Sequence, residues 1–396
     1  MDLASAQVLR AYFKEYYFRY GERITEPTEI RSREFGYSTF DGQMIRHLSF
    51  EDIGALRALL LKEVPAGVYC SNSLYREPAA EMHRKGWIKA ELIFDIDADA
   101  LKLPCRKEHD FWVCKQCGKK EMGLRPETCP SCRGNRIAET KWACRKCLEG
   151  AKNETFKLLD ILESDFGISG KQIQIYFSGN AGYHVHLAES PLDELDQHGR
   201  SEISDYLTAR GILPEMFRTT KMSPQDPGWR GRLARKIRDM PENDDQSANP
   251  LKANTFEDRV KELAFKLSKS ESEKILIGLF SELSVKIDPM VTTDIHRIFR
   301  MPETLNNKTG LVKKSTSDLA SFDPLNEAVA IPDESSRIKV LISFAPKVEL
   351  CGSSYGPFVE NGESVQTLPP FVAIYLIAKG VASIAPPPEQ SITSKN

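Results

Sequence analysis

Two aspartates, Asp95 and Asp97, have the spacing of a metal-binding pair. They lie in the segment ELIFDID at 91–97, where they alternate with Phe94 and Ile96. Because successive side chains of a β-strand point to opposite faces, both carboxylates leave one face of the predicted strand side by side. Carboxylates placed in this way bind hard divalent cations such as Mg²⁺, so the pattern predicts a catalytic metal site.

A second group of candidate metal ligands lies in the segment that follows. Seven of the nine cysteines fall between residues 105 and 147, and most of them form CxxC pairs, which hold metal in a reducing compartment. Zinc takes four tetrahedral ligands, and a CxxC turn presents two thiolates to one ion. The candidate ligands are Cys105, His109, Cys114, Cys117, Cys129, Cys132, Cys144 and Cys147.

These eight residues suffice for two structural zinc ions, and their spacing permits two pairings. In a nested arrangement, the four ligands of one zinc site lie between the two halves of the other site along the sequence. The inner ligands are then Cys114, Cys117, Cys129 and Cys132, and the outer ligands are Cys105, His109, Cys144 and Cys147. In a sequential arrangement, neighbouring pairs share an ion along the chain. Either pairing predicts at least one zinc ion.

The same segment is basic. Residues 102–149 hold twelve Lys and Arg against six Asp and Glu, an excess of +6, whereas the whole chain has 54 Lys and Arg against 56 Asp and Glu. A basic zinc module suits contact with a phosphate backbone, although runs of charge are more often solvated faces. Contact with nucleic acid is therefore a hypothesis for this module.

A glycine-containing turn joins two further predicted strands. The strand QIQIYF at 172–177 runs into the turn SGNAG at 178–182, and the chain returns through YHVHL. His184 and His186 therefore share one face of the returning strand. Taken alone, such a turn is typical of an ordinary hairpin.

Other patterns predict the elements that position these groups. Alternation of aromatic and polar residues at 33–50 predicts a β-hairpin that exposes Arg33, Arg46 and His47. The segment SVKI at 284–287 is predicted to form a strand that leads into Asp288. Helices are predicted at 1–20, 50–63, 151–166 and 371–378 and through most of 200–283, above all from 257 to 283.

The composition is that of a folded protein. The chain has 396 residues, a formal net charge of -2 and 41% hydrophobic residues, which excludes disordered tail proteins and fibrous proteins. Its most apolar stretch, 371–378, is far shorter than the roughly 18 residues that cross a bilayer, so no membrane association is expected. Charges interrupt the first 25 residues too often for a signal peptide, and we expect a cytoplasmic protein.

Six motifs occur in an order that resembles a known family. They are REFGY with MIRHLSF at 33–50, FDIDADA at 94–100, CRKCLEGAK at 144–152, YFSGNAGYHVHL at 176–187, DPMVTTDIHRIFRMPETLNNKTGL at 288–311 and PPFVAIYLIAKG at 369–380. The chain resembles the catalytic small subunit of the archaeal and eukaryotic type of DNA primase over most of residues 1–380. The short segment with which the chain ends resembles the archaeal members more than the eukaryotic ones.

The resemblance implies roles for individual residues. Asp95, Asp97 and Asp288 match the family's three carboxylates, which hold two catalytic ions, Mg²⁺ or Mn²⁺. The residues that match the family's nucleotide-binding turn and its basic segment are Ser178, Gly179, His184, Arg300, Asn306 and Lys308. Arg297 is a weaker candidate for a phosphate contact, and Asp294 is expected to be structural.

The chain departs from the family pattern in three places. Asn180 and Ala181 stand where relatives usually have arginine, so one phosphate contact is missing or supplied elsewhere. Asn306 stands where many relatives have histidine, and it can donate a hydrogen bond but carries no charge. The CxxC pairs within 114–132 exceed the single set of four ligands in the family's usual zinc knuckle, which favours the nested arrangement.

The resemblance implies a mixed α+β fold with a primase-type catalytic core around a β-sheet. The implied activity is synthesis of short primers on single-stranded DNA from nucleoside triphosphates, in a heterodimer with a primase large subunit. We predict a catalytic core of 1–101, 148–199 and 284–384, a zinc-binding insertion at 102–147, a mostly helical subdomain at 200–283 and a disordered tail at 385–396.

Three other functions are weighed against this one. A primase-like repair or translesion polymerase would keep the three aspartates but extend primers better than it starts them. A catalytically inactive relative would act as a zinc-dependent nucleic-acid-binding subunit, which the presence of all three aspartates disfavours. A glycosyltransferase shares the Asp-x-Asp pattern, but that function gives no reason for Asp288 or for the cysteines.

Overall fold

Helices and strands are mixed along the whole chain, which confirms the predicted α+β class. The structure is a computed structural model and describes residues 2–241, 250–359 and 362–386. In these ranges the α-helices are α1 (Leu3–Tyr20), α2 (Ile53–Glu63), α3 (Arg106–His109), α4 (Arg145–Ser164), α5 (Gln197–Leu207), α6 (Gly228–Arg238), α7 (Phe256–Lys261), α8 (Lys269–Leu283), α9 (Pro289–Thr293), α10 (Pro324–Glu327) and α11 (Pro370–Ala378).

The strands of the same ranges form several antiparallel sheets. They are β1 (Arg33–Ser38), β2 (Met44–Leu48), β3 (Gly67–Tyr75), β4 (Trp87–Ala90), β5 (Leu92–Asp97), β6 (Phe111–Cys114), β7 (Lys120–Met122), β8 (Ile137–Thr140), β9 (Ile173–Phe177), β10 (Gly182–Leu187), β11 (Ile298–Arg300), β12 (Lys314–Thr316), β13 (Ile338–Ile342), β14 (Val348–Leu350), β15 (Ser353–Tyr355), β16 (Ser364–Leu368) and β17 (Ala382–Ile384).

Two of the sheets form the centre of the molecule. The first has the order β11-β3-β1-β2, with β4 paired to β3, and the second has the order β12-β9-β10-β5. Phe94, Ile96 and Val185 lie on one face of the second sheet, and they belong to the same buried cluster as Leu158 and Ile161 of α4. This apolar face leaves the opposite face of β5 and β10 free to carry polar side chains.

The hairpin predicted at 33–50 is confirmed, but the exposure predicted for Arg33 is wrong. β1 pairs with both β2 and β3, so its first residue is covered, and Arg33 is only 4% exposed. The guanidinium donates to the carbonyl of Ser71 at 2.9 Å and forms an ion pair with Glu91. Burial of this charge is tolerated because it is paired and hydrogen-bonded.

Several predicted elements differ at their bounds. α4 begins at Arg145 rather than at 151, so the last CxxC pair lies at its first turn. The helix predicted from 257 to 283 is interrupted after a π-helical turn at Glu262–Lys266. The side chain of Ser268 then accepts a hydrogen bond from the Glu271 backbone, which starts α8 anew.

The strand predicted at 284–287 is wrong. In the described residues this segment has no strand partner, and hydrogen bonds to several separate elements hold it instead of a strand ladder. The N–H of Val285 donates to the carbonyl of Leu207 at 3.0 Å, and the N–H of Asp288 donates to the carbonyl of Asp95 at 3.0 Å. The apolar alternation of the segment arises because Val285 and Ile287 join the main core.

The region 200–283 has its own apolar core, built from α6, α7 and α8 around Trp229, Leu233 and Phe280. This core agrees with a helical subdomain, but the bounds of the domains stay predictions.

The helix predicted at 371–378 is confirmed as α11, and its residues 371–377 are buried. Among the helices described, none combines the length and apolar character that a bilayer crossing requires. Of the predicted tail at 385–396, residues 387–396 lie outside the described ranges.

Candidate active site

The polar face of β5 carries the predicted carboxylates. Strand alternation buries Phe94 and Ile96 and leaves Asp95 and Asp97 partly exposed on the opposite face. Ile93 shares that face and packs with Val291 of α9 and Phe299 of β11. This small apolar cluster brings α9 and β11 against the face that carries the carboxylates.

Asp288 joins the two aspartates of β5 from a distant part of the sequence. Its backbone N–H donates to the carbonyl of Asp95 at 3.0 Å, and its carboxylate caps α9 by accepting from the N–H of Met290 at 3.0 Å. Because Pro289 occupies the first position of α9, the chain turns at Asp288. The three carboxylates therefore come together through one backbone hydrogen bond and one helix start.

The electrostatics of this cluster are those of a cation site. Burial, and then the charges of Asp97 and Asp288, raise the pKa of Asp95 to about 7, although Arg297 and Lys313 act in the opposite direction. Burial also raises the pKa of Asp97. Three carboxylates repel one another when nothing lies between them, and their oxygen atoms are the ligands that Mg²⁺ and Mn²⁺ prefer. These carboxylates are therefore candidate ligands for divalent cations.

His184 faces the carboxylates from the neighbouring strand. In the register of β10 and β5 it lies directly opposite Asp95, and its Nε2 is 3.5 Å from the Asp95 Oδ1. Burial, and then the charges of Lys313 and Arg300, lower the pKa of His184 well below its usual value, so the ring is neutral. A neutral ring can offer one N–H to an anionic ligand beside Asp95.

The turn before β10 is fixed by its own serine. Ser178 Oγ accepts from the N–H of Asn180 and of Gly182, both at 3.3 Å. Gly179 has φ +79°, a conformation that favours glycine. A Cβ on Gly182 would lie 2.0 Å from the carbonyl oxygen of Ile96, so the turn fits tightly against the end of β5.

The loop at 301–313 lies against this turn. The amide of Asn306 donates to the Ser178 carbonyl at 3.2 Å, and its oxygen accepts from the N–H of Lys308 at 2.9 Å. The hydroxyl of Thr309 donates to the carbonyl of Gly179. Asn306 is buried and holds the loop on the turn, whereas the Lys308 side chain is exposed.

Arg300 is held in place by the same loop. Its guanidinium donates to the carbonyl of Leu305 at 2.7 Å, to Asn307 Oδ1 at 3.0 Å and to the hydroxyl of Tyr69 at 3.2 Å. Arg297 is exposed, and its charge lowers the pKa of Asp95.

Asp294 follows α9, and its carboxylate accepts a hydrogen bond from the backbone N–H of His296 at 2.9 Å. This hydrogen bond agrees with the structural role expected for Asp294, which stays a prediction.

Sequence reasoning missed Lys313. This side chain is fully buried, and its ammonium donates to the carbonyl of Arg300 at 2.9 Å and lies 3.3 Å from His186 Nε2. Burial, and then the charge of Arg300, lower its pKa to about 7. The one available signal was its position just before β12, where Lys313 and Lys314 must point to opposite faces.

The cysteines form two separate groups of four possible metal ligands, and these are the nested sets. Within each group, all ligand atoms lie within 4.8 Å of one another. In the outer group, the Cys105 and Cys147 sulfurs are 3.6 Å apart. In the inner group, the sulfurs of Cys114 and Cys132 are 3.5 Å apart. Four clustered sulfur and nitrogen atoms are a donor set that fits zinc.

His109 is oriented for metal binding by its neighbour. Its Nδ1 lies 3.0 Å from the carboxylate of Asp110, and its Nε2 faces the Cys147 sulfur at 3.2 Å. Asp110 also accepts from the N–H of Trp142 at 3.0 Å and from Arg106 at 2.8 Å. A carboxylate that holds the far nitrogen of a histidine fixes the tautomer that binds zinc through Nε2.

Comparison with known proteins gives one consistent family. The family model for the DNA primase small subunit matches residues 134–317. A DNA primase small subunit PriS of Cenarchaeum symbiosum is 38% identical over 387 residues, which covers 94% of this chain and 97% of the relative.

Two further relatives carry the same name. The protein of Nitrosopumilus maritimus is 34% identical, and the match covers 97% of this chain and 100% of the relative. The protein of Archaeoglobus fulgidus is 32% identical, and the match covers 95% of this chain and 97% of the relative. Identity of this size over nearly the full length of each relative shows the family. The chain belongs to the DNA primase small subunit family.

Proposed function

We propose that this chain is the catalytic subunit of a DNA primase, which copies single-stranded DNA into short primers from nucleoside triphosphates. The observation that carries the proposal is the convergence of Asp95, Asp97 and Asp288 on one face of β5, with His184 opposite Asp95. Membership of the small-subunit family gives the reaction class, which is nucleotidyl transfer.

The three carboxylates would hold two ions, Mg²⁺ or Mn²⁺. The chemistry that such ions supply is activation of the 3′-hydroxyl and stabilisation of charge on the α-phosphate and the leaving pyrophosphate. Asp95 accepts the backbone N–H of Asp288 through its carbonyl, so the backbones that carry both side chains are held together. A fixed cluster binds metal without reorganising, which favours catalysis.

The groups around the carboxylates would bind the incoming triphosphate. The neutral His184 offers an N–H next to Asp95, and the turn Ser178–Gly182 brings backbone close to the site through Gly179. Arg300 and the exposed Lys308 supply positive charge, and Asn306 positions the loop that carries Lys308. Cations and backbone amides together suit a polyphosphate.

Zinc would be structural at both cysteine sites. Each site has four protein ligands and leaves no open position for substrate chemistry, which is typical of structural zinc. The outer site would fasten the first turn of α4 to the segment of Cys105 and His109. The inner site would fold the inserted segment between Cys114 and Cys132.

The zinc insertion also offers a surface for the template strand. Lys115, Arg125, Arg133 and Arg136 are exposed, and no carboxylate of the described residues lies within 4.0 Å of their charged groups. At the far end of β8, Lys141 donates to the carbonyl of Asp99, next to the catalytic face. Exposed cations without a carboxylate partner favour contact with the phosphates of single-stranded DNA.

This contact is tested by the salt dependence of binding to a single-stranded oligonucleotide. For single strands, the slope of log K against log salt is roughly 0.7 per neutralised phosphate, so replacing four contacting cations by glutamine should reduce the slope by about 3. A variant with four changes on the helical region should keep the slope. The control positions are Lys261, Lys266, Lys269 and Lys274.

A larger companion subunit is the expected partner, because the relatives that this chain resembles are named small subunits. We place both subunits in the cytoplasm with the DNA. Measurement of the mass of the native complex by light scattering tests the heterodimer. A native complex that contains copies of this chain alone would contradict it.

The experiment that tests the central proposal is primer synthesis on an unprimed single-stranded template with Mg²⁺ or Mn²⁺ and labelled nucleotides. Wild type should make oligonucleotides, and the Asp95→Ala/Asp97→Ala variant should make none. Synthesis only from an added primer, with the large subunit present, would identify a repair-type polymerase instead. No incorporation under any condition would favour an inactive nucleic-acid-binding subunit.

A further inference from the structure

Lys379 is a basic residue that the proposed mechanism does not use. It follows α11, the helix whose residues 371–377 are buried, and its N–H donates to the carbonyl of Tyr375 at 2.9 Å. α11 is fixed against the loop that carries Lys308, since a Cβ on Gly310 would lie 2.6 Å from Ile374 Cγ2. Lys379 is therefore attached to a rigid element beside the nucleotide-binding turn.

The ammonium of Lys379 points at that turn. Its Nζ donates to Asn180 Oδ1 at 3.1 Å and lies 5.6 Å from the centre of the Trp142 ring and 5.7 Å from that of Tyr375. An ammonium has three N–H donors, and this one has a single oxygen acceptor in its described contacts. Within the described ranges, no carboxylate forms an ion pair with it at 4.0 Å or less.

Charges of both signs act on Lys379. Burial lowers the pKa of Lys379 to about 8. The negative charges of Asp99 and Asp97 raise this pKa, whereas the positive charge of Lys308 lowers it further. Two lysines thus face one region next to the carboxylate Asp97. Two cations that repel each other in a partly desolvated place are stabilised when an anion lies between them.

We propose that Lys379 binds a phosphate group of the incoming nucleoside triphosphate, together with Lys308. This inference rests on the proposed function and extends it, because it names the residue that supplies the cation absent from the turn. Asn180 is a neutral residue of the turn SGNAG at 178–182, which has no cation of its own. Its short neutral side chain accepts a hydrogen bond from the Lys379 ammonium, so the residue that follows α11 places a cation against this turn.

The test is the affinity of the full-length protein for ATP with Mg²⁺ in the absence of template, measured by titration calorimetry. Lys379→Met should weaken ATP binding by roughly tenfold to a hundredfold, the loss expected for one charged hydrogen bond. Lys379→Arg should retain most of the affinity, since it keeps the charge. Lys269→Met, which removes a lysine from α8, is the matched control and should bind as wild type does.

A second variant keeps the proposal falsifiable if Lys379→Met alone weakens the fold. Lys379→Met/Asn180→Arg returns a cation to the region from the turn and should recover part of the lost affinity. Asn180→Arg alone places a cation against Lys379 and should lower the midpoint of thermal unfolding.

ATP affinity unchanged in Lys379→Met, with a normal midpoint of thermal unfolding, would overturn the inference. So would a variant that loses affinity for single-stranded DNA while it keeps affinity for ATP, because the lysine would then serve the template. If wild type itself binds no ATP, the proposed function fails, and the inference fails with it. Loss of ATP affinity in the variant, beside normal binding by wild type, supports the inference alone.

Discussion

The carboxylate site and the zinc module are both built to hold cations, but they are assembled in different ways. Asp95, His184 and Asp288 come from β5, β10 and the start of α9, and they meet through sheet register and one backbone hydrogen bond. All eight cysteine and histidine ligands of the module instead come from the short stretch 105–147. The comparison teaches that local spacing identifies the candidate ligands of a structural metal site, whereas the proposed catalytic site is assembled only by the tertiary fold.

The module itself has two levels of dependence on the fold. Cys105 and Cys147 belong to the main core, together with Phe111 and Trp142. Cys114 and Cys129 belong to a separate small cluster. The outer site therefore belongs to the core that supports β5 and β10 through α4. The inner site packs with Trp112 and Ile137, so we expect it to stabilise mainly this small cluster.

The largest expected effect is loss of synthesis on removal of a carboxylate. Asp288→Ala should reduce primer synthesis by about 10³-fold or more, since metal ions stabilise the transition state by several kcal/mol and about 1.4 kcal/mol is a factor of ten. The fold should be retained, and the midpoint of thermal unfolding should fall by no more than the loss of the α9 cap explains. Asp294→Ala is the matched control, because its carboxylate bonds to His296 instead of facing the cluster. Equal losses in both variants would contradict the assignment of Asp288.

The next largest effect separates the two zinc sites. Cys147→Ser should lower the midpoint of thermal unfolding by roughly 10 °C, because structural zinc supplies folding free energy and this ligand lies in the main core. Cys132→Ser, at an exposed inner ligand, should shift that midpoint by much less. Zinc content should be two ions per chain in wild type and one in each variant. Equal destabilisation by both changes would show that the inner site also supports the main core.

A smaller effect is expected from pH. The folded-state pKa of Asp95 is raised from 3.8 to about 7, so the folded protein holds this proton more strongly than the unfolded chain does. Without divalent metal, the stabilising contribution of this group is complete below pH 3.8 and is lost as the pH rises to about 7. Added Mg²⁺ should reverse the loss, because metal replaces the proton.

The measurement is the midpoint of thermal unfolding from pH 5 to 8, with a chelator and with Mg²⁺. Asp95→Asn lacks the titrating group, and the difference between wild type and this variant isolates it. A difference that does not change between pH 5 and 8 in chelator would show that Asp95 is ionised throughout. Apparent Mg²⁺ affinity should also rise with pH in wild type, since each proton lost from the cluster favours the cation.

The smallest effect concerns the contact between the turn and β5. Gly182→Ala places a methyl group 2.0 Å from the Ile96 carbonyl oxygen, and relief of this overlap should cost about 1–3 kcal/mol of unfolding free energy. Gly170→Ala is the matched control, because nothing lies within 4 Å of its added methyl group. Denaturant titration measures both. Loss of primer synthesis in Gly182→Ala with unchanged stability would show that the turn itself contacts substrate.

The sequence by itself determined the local features of this protein. Alternation in ELIFDID placed Asp95 and Asp97 on one face, because strand side chains alternate whatever the partner strand is. The ordered motifs determined the family. The spacing of the seven cysteines, with His109 among them, identified eight candidate ligands, although two pairings stayed open until the fold brought the nested sets together.

Only the tertiary structure decided which distant groups meet. Asp288 reaches Asp95 although the strand predicted before it does not form, because one backbone hydrogen bond replaces a strand ladder. Arg33 is buried by β3, and Lys313 and Lys379 enter the site from elements whose local patterns show no charge partner. The physical reason is that the burial of a side chain and the electrostatic potential at it depend on every segment that packs around it. A local sequence pattern describes only the segment to which the residue belongs.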